Sequence, residues 1–355
     1  MGSEAGSDAP PGESRMWEFA SSFPRQLKEG LRSVPRHNFA ARPGVPIATV
    51  GMGGSGIAGE LLSSLAARGG ESALLPVRDF VLPAWVRPPV PVVFVSYSGN
   101  TAETLGAYEQ ARARGLPRAV IASGGRLIEL AKEDGVLHVQ VPPGQPPRAS
   151  LGYLFGALAG ILREVLPEVD RDLPRVADGL SARSEEFSSD SGLAGKLATA
   201  WGGDRDLWVY ATDPLLPVAR RWKTQAEENA KRLGHFDAVP ELLHNAVVAW
   251  DAMPKAEAQG RFVAILHAAG EGEATVRRVD YLARSLGAQG AKVELVVPRS
   301  RGALGEMLEL VWLGDYVSLW AARRRRVDPL PVPAIDKMKV ALGGSAPRAS
   351  GGRKG

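Results

Sequence analysis

Two short stretches of this chain carry residue types that can hold an anion without a fixed positive charge. Gly51-Met52-Gly53-Gly54-Ser55-Gly56 follows an apolar strand pattern and opens a helix pattern. Glycines at such a turn let backbone N–H groups converge and a ligand approach closely. The helix start adds partial positive charge. Alone, this turn is equally well a tight strand–helix connection with no ligand. The second stretch, Ser96-Tyr97-Ser98-Gly99-Asn100-Thr101, also follows an apolar strand and opens a helix. In a parallel sheet the strand C-termini gather on one edge, where ligands bind. Gly54, Ser55, Ser96, Ser98 and Thr101 are therefore expected to enclose a phosphomonoester, with Thr101 or a neighbour also capping its helix. Neither loop contains Lys or Arg, which points to recognition by dipoles and hydroxyls. A dinucleotide site would need an acidic residue about twenty positions after the first loop. None stands there, since Glu71 lies in a Gly-Gly-Glu-Ser turn, and no Gly-Lys-Ser/Thr phosphate loop occurs.

A second set of residues could move protons. Lys223–Trp250 holds Glu227, Glu228, Glu241 and His244. By itself Glu228 is a helix carboxylate paired with Arg232 four residues on. His244 is by itself a hydrogen-bonded core or interface histidine, and Arg148 a solvated linker arginine. His235, His244 and Glu241 are not spaced as a helical HExxH pair, and no further ligand cluster accompanies them, so no metal is expected. The chain has no cysteine, which removes disulfides, thiolate catalysis and Cys-based metal sites, and fits a reducing compartment. The formal charge is +4, three of it from Arg348, Arg353 and Lys354, so the body offers no basic footprint for nucleic acid. Arginines 323–326 lack interleaved aromatics and read as a solvated helix end.

The elements that must position these groups alternate. Strands are expected at Pro46–Val50, Val90–Val95, Arg118–Ala122 and Val136–Val141, with helices at Ile57–Ala67, Thr101–Arg114 and Gly125–Asp134. An earlier helical pattern, Ser14–Leu31, is expected to kink or split at Pro24. The four-proline stretch Val141–Arg148 ends the unit. Helical stretches Ala149–Leu166 and Leu173–Phe187 follow. The rhythm then resumes with strands Leu207–Ala211, Arg261–His267 and Ala291–Val297 and helices Leu215–Lys231, Glu273–Leu286, Gly302–Arg323 and Pro331–Leu342. PIATVGMGGSGIAGELL pairs in outline with DLWVYATDPLLPVARRW, as does VVFVSYSGNTAETLGAYEQARARG with RFVAILHAAGEGEATVRRVDYLARSLG. An internal duplication is inferred. Only the first copy keeps Gly/Ser loops, so one phosphate site per chain is expected. The fold class is α/β, with doubly wound parallel sheets flanked by helices. No membrane or secretion signal is expected. The apolar run Ala149–Leu162 falls short of the roughly twenty residues a span needs. Residues 1–14 read as a disordered leader and 344–355 as a flexible tail.

GMGGSGIAGE and SYSGNTAET resemble the two signature loops of sugar-isomerase (SIS) domains, and the repeated rhythm resembles a double-SIS chain. Within that group, residues from about Val45 to Leu342 resemble the bifunctional phosphoglucose/phosphomannose isomerase family. Glu228-Asn229-Ala230-Lys231 resembles its Glu-Asn-x-Lys motif, and Pro240-Glu241-Leu242-Leu243-His244-Asn245 its Pro-Glu-x-x-His-Asn motif. PPRASLGYLFG and GDYVS…VDP resemble two more of its segments. The resemblance implies two SIS-type subdomains, residues 15–150 and 151–343. It also implies Glu228 as enediol base and His244 as ring-opening acid/base, supplied by a neighbouring subunit of a homodimer. Arg148 would stabilise enediolate charge, and Lys339, rather than Lys337, would contact the sugar or assist ring opening. The implied reaction interconverts glucose 6-phosphate, and mannose 6-phosphate as a second aldose, with fructose 6-phosphate. It needs no cofactor and runs in the cytoplasm. The chain departs from the family pattern at Ala230 and Ala246. It also has no threonine between Val327 and Leu342, where Val332 is the nearest isostere of the family's epimer-linked threonine. The alternatives are an isomerase of another phosphosugar and a noncatalytic sugar-phosphate sensor.

Overall fold

The computed structural model describes residues 12–202 and 204–342. The expected tail, and all of the expected leader except residues 12–14, lie outside the described residues. Helix α1 (Glu13–Ser21) begins within that leader, and α2 (Phe23–Arg32) follows directly. Pro24 splits the two. It occupies the first turn of α2, where its missing N–H costs no helical bond.

The first sheet comprises β1 (Ile47–Val50), β2 (Leu74–Val77), β3 (Val92–Val95), β4 (Arg118–Ala122) and β5 (Leu137–Gln140). Its order is β2-β1-β3-β4-β5 and every pairing is parallel. Helices α3 (Gly53–Gly69), α4 (Ala102–Ala113) and α5 (Gly125–Glu133) make the crossovers. β1 and β3 are buried at every residue, because helices cover both faces. Ala48, Val50, Val92, Phe94, Val120 and Ala122 point into one apolar layer. Ile47, Val93, Val95, Ala119 and Ile121 point into the other.

A 3₁₀ turn at Pro147–Ala149 leads into α6 (Leu151–Ile161), buried at every residue. Gly156 lets α2 lie against it, since a Cβ there would stand 2.2 Å from the Leu27 carbonyl oxygen. Then come α7 (Pro167–Ser181), α8 (Ser184–Ser188) and α9 (Leu193–Trp201). The second sheet has β6 (Asp206–Thr212), β7 (Gly234–Val239), β8 (Arg261–Leu266) and β9 (Lys292–Val296), all parallel, in the order β7-β6-β8-β9. Its helices are α10 (Leu216–Glu228), α11 (Ala246–Ala252), α12 (Lys255–Ala258), α13 (Glu273–Ala288), α14 (Ala303–Arg324) and α15 (Pro333–Ala341). The strand order repeats that of the first sheet without its last edge strand, as a duplication requires.

The inner faces of both sheets share one core. Ile47 and Val93 on one side and Val209, Ala264 and Leu266 on the other belong to a single cluster, with α3, α6, α10 and α14 between them. No helix among the described residues is long and apolar enough to cross a membrane.

The sequence pattern misses β2 and β7. Both are edge strands in the same topological position, and neither is a continuous apolar run. β2 contains Pro76, which an edge tolerates, and β7 is half-polar. The pattern also misses α9. It starts α3 four residues late, because the glycine loop itself forms the first helical turn.

Candidate active site

The order β2-β1-β3-β4 sends α3 toward one edge of the sheet and α4 toward the other. The two crossovers diverge, leaving a crevice at the C-terminal ends of β1 and β3. Both Gly/Ser loops border it. They are tied together: Ser55, buried, accepts the Tyr97 N–H on its Oγ at 3.0 Å. Its own hydroxyl proton is left to donate. Ser96 Oγ and Thr101 Oγ1 share a hydrogen bond at 3.0 Å. Thr101 precedes α4 in the N-cap position without a side-chain cap, so its hydroxyl serves Ser96 and not the helix. Ser98 is exposed, with Oγ accepting the Asn100 N–H at 3.3 Å. The Tyr97 hydroxyl donates to the Pro142 carbonyl at 2.8 Å and accepts the Gln145 N–H at 3.1 Å, fixing the proline-rich linker to the second loop.

One cation beside these loops is not legible in their sequences. Arg78 follows edge strand β2 and reaches Gly56, where an added Cβ would stand 3.1 Å from its Cζ. Its Nε donates to Glu60 at 2.5 Å, and Glu60 also pairs with Arg220 at 3.3 Å. Finding it would have required recognising β2.

Gly54 brings the other half of the site near. A Cβ there would be 3.1 Å from Arg148 Cα and 3.2 Å from the Pro147 oxygen, so the 3₁₀ turn carrying Arg148 rests on the first loop. Arg148 is 3% exposed. Its Nε donates to Asn229 Oδ1 at 2.8 Å and its Nη1 to Glu228 Oε2 at 3.2 Å. Its Nη2 donates to the carbonyls of Pro329 and Leu330 at 2.6 and 2.9 Å. A guanidinium has five N–H donors, so one N–H remains, on the nitrogen that faces Glu228. Burial lowers the Arg148 pKa from its ordinary value, and the Glu228 carboxylate opposes that shift.

Glu228 is the last residue of α10, with a side chain 28% exposed. A carboxylate at a helix C-terminus is disfavoured by the dipole, and Arg148 offsets this. The expected alternative, a pair with Arg232, does not form; Arg232 pairs with Asp206 at 3.5 Å. Neighbouring Glu227 turns to Lys223 at 2.8 Å. Lys231, at φ +56°, folds back to donate to the carbonyls of Glu228 at 2.5 Å and Pro331 at 2.8 Å. Burial, with Arg148 nearby, holds its ammonium pKa below the ordinary lysine value. Residues 329–331 are thus gripped by two cations, and Val332 and α15 follow directly.

His244 and Lys339 are not brought to this centre. Lys339 is exposed on α15, a helix with no buried residue. His244 is exposed at the end of the 3₁₀ turn Glu241–His244, beyond the C-terminal end of β7. Glu228 lies before the N-terminal end of the same strand. Six strand residues, about 20 Å at 3.3 Å each, separate the two ends. His235 stacks on Trp208, ring centroids 4.1 Å apart. Among the described residues, no three His, Asp or Glu side chains are grouped as a metal ion would require.

The arrangement sets an anion cradle of helix starts and hydroxyls beside a carboxylate held by a buried guanidinium. A family model described as the bacterial phospho-glucose isomerase C-terminal SIS domain matches residues 191–342. The chain is 32% identical over 339 residues to a bifunctional phosphoglucose/phosphomannose isomerase of Caldicellulosiruptor bescii, covering 92% of this chain and 98% of that one. It is 33% identical over 297 residues to the protein of the same name from Aquifex aeolicus, covering 82% and 88%. The fold resembles that of glucosamine-6-phosphate deaminase from Thermotoga maritima, with a TM-score of 0.67 at 16% identity over 90% and 97% of the two chains.

Proposed function

Because the chain belongs to the bifunctional phosphoglucose/phosphomannose isomerase family, we propose that it interconverts glucose 6-phosphate and fructose 6-phosphate, with mannose 6-phosphate as a second aldose. The single observation that carries this reading is that Arg148, whose main chain lies against Gly54 of the phosphate loop, pairs with Glu228.

The phosphate dianion is held by the first N–H groups of α3 and α4, before the Ser55 N–H that already bonds the Met52 carbonyl at 3.0 Å, and by hydroxyls of Ser55, Ser96, Ser98 and Thr101. Once the ring is open, the Glu228 carboxylate takes the proton from C2. The C2 electron pair forms the C1–C2 double bond, and the carbonyl electrons move to O1. The free Nη1 N–H of Arg148 stabilises that oxygen. Glu228 then returns the proton to C1 while the O2 proton passes to O1, leaving a C2 carbonyl. The acid/base step on the ring oxygen falls to His244 of a second copy in a homodimer. The length of β7 between Glu228 and His244 supports this, since one chain cannot supply both to one sugar. Exposed Leu233, Val248, Met338, Val340 and Leu342 give a second copy apolar surface to cover. A contact of Lys339 with the sugar would need α15, which follows the gripped Pro331, to move toward the loops when substrate binds. The matching strand orders support residues 15–150 and 151–343 as the two SIS units. A cysteine-free chain accords with a cytoplasmic location.

A panel of hexose and pentose phosphates tests the reading. Turnover is expected on glucose 6-phosphate. Glu228→Gln is expected to lose about 10²–10⁴ in kcat while still binding fructose 6-phosphate. Full turnover in that variant removes the base. Turnover only on another phosphosugar, or binding without turnover, favours the two alternative readings.

A further inference from the structure

We propose that Asp315, in the middle of α14, is the positioning residue of the active-site cation: through two separate hydrogen-bonded limbs it fixes both the main chain and the guanidinium of Arg148.

Asp315 stands where a carboxylate is costly. It is 6% exposed, between buried Leu313, Tyr316 and Val317. A buried ion pair is often no more stabilising than apolar side chains of similar volume. Its retention here has an explanation in what it reaches.

The first limb is ionic. Arg221 Nε donates to Asp315 Oδ1 at 3.0 Å and Arg221 Nη2 to Oδ2 at 2.7 Å, a two-point grip that sets the plane of the guanidinium. The same Nη2 donates to the main-chain carbonyl of Arg148 at 2.9 Å. The second limb is neutral. The Asp315 carbonyl accepts the Ser318 hydroxyl at 2.6 Å, and Ser318 Oγ accepts from Asn229 Nδ2 at 2.9 Å. That orients the Asn229 amide so that its Oδ1 receives Arg148 Nε at 2.8 Å. Gln225, one turn after Arg221 on α10, donates to Asp315 Oδ1 at 2.8 Å. Three residues further, the same helix ends in Glu228. The carboxylate thus sets the rotation of α10 that aims Glu228 and, through Arg221, the main chain of Arg148, while the neutral limb runs from the Asp315 main-chain carbonyl to the guanidinium.

Asp315 also offsets the charge of one of two neighbouring buried cations. Arg221 is near enough to Arg148 to oppose its charge, and Asp315 neutralises Arg221. A small cavity borders the hub, lined by Gln225, Asn229 and Asp315 on its polar side and Phe19, Phe23 and Leu319 on its apolar side. Without the Asp315 carboxylate, the Gln225 amide has room to turn away, and Arg221 loses the two-point grip that holds it against the Arg148 carbonyl.

The proposal rests on Arg148 being the charge-stabilising group, and the experiment separates the two. Kinetics with fructose 6-phosphate and melting temperatures are measured for Asp315→Asn, Arg148→Ala and the double variant. Asp315→Asn is expected to lower kcat about tenfold or more with KM changed less than about threefold. In the Arg148→Ala background the same change should cost less than about twofold, because its target is gone. Equal losses in both backgrounds, or no loss in a folded Asp315→Asn protein, overturn the positioning role. If Asp315→Asn does not fold, Ser318→Ala cuts the neutral limb alone. A kcat loss of about threefold to tenfold, absent in the Arg148→Ala background, supports the proposal, and unchanged kcat overturns it. Full turnover in Arg148→Ala alone instead overturns the role of Arg148, and the positioning role with it.

Discussion

The two sheets share a strand order, and each has a crevice where its crossovers diverge, but the crevices are filled differently. At β1 and β3 the loop residues are glycines and hydroxyls, and among the described residues none of their hydroxyls is bonded to a carboxylate. At β6 and β8 the chain supplies its own anion. Glu271, just before α13, accepts the Thr212 hydroxyl and, at 3.0 Å, the Ala268 N–H on the same Oε1. In the paired 17-residue strings, buried Leu215 stands opposite Ser55. The two halves therefore share a topology but not the Gly/Ser loops. A parallel sheet generates the anion-attracting edge in both halves, and a single internal carboxylate is enough to satisfy one of them.

Making the first crevice resemble the second should have the largest effect. Ser98→Glu puts a carboxylate at its mouth, and like charges brought together cost several kcal/mol. kcat/KM for fructose 6-phosphate is expected to fall at least about a hundredfold, with melting temperature unchanged. Retained activity would mean that the phosphate sits elsewhere. The reverse test is milder. Glu271→Gln should leave kcat and KM within about twofold and lower the melting temperature by about 2 °C, as a charged acceptor becomes neutral. A large loss of turnover would give the second crevice a part in the reaction.

The smallest effect concerns Glu306 on α14. Burial raises its carboxyl pKa, nearby Glu271 adds to the rise, and Arg68 and the Ala269 backbone oppose it. Below the ordinary carboxylate pKa the group is protonated both folded and unfolded, and costs nothing. As pH climbs from there through the raised folded value, ionisation is penalised only in the fold and stability is lost. Glu306→Gln should melt with wild type near pH 4 and about 1 °C above it at pH 7. Parallel pH curves would disconnect Glu306 from the plugged crevice.

What was legible in the sequence follows the same divide. The inner strands announce themselves because burial on both faces demands unbroken apolar runs such as Val92–Val95. The edge strands β2 and β7 carry Pro76 and His235-Phe236-Asp237, whose one-sided exposure leaves no such run. Missing β2 also hid Arg78 beside Gly56. The loop residues were readable because glycine and hydroxyls between a strand and a helix form a local pattern. Glu228 and Arg148 were singled out only by resemblance. Their meeting is a contact between residues 80 apart, which no local pattern encodes. The Arg221–Asp315–Gln225 hub was invisible for the same reason: each member looks like an ordinary helix charge or amide until α10 and α14 are packed together.

The apolar layer common to both sheets has a bearing on ancestry. Cutting the chain at the linker near residue 150 would strip the inner face of each half, exposing Ile47 and Val93 on one piece and Val209 and Leu266 on the other. A lone ancestral half would have had to hide that face against its twin. The two halves then cannot work apart, since the first holds the Gly/Ser loops and the second carries Glu228.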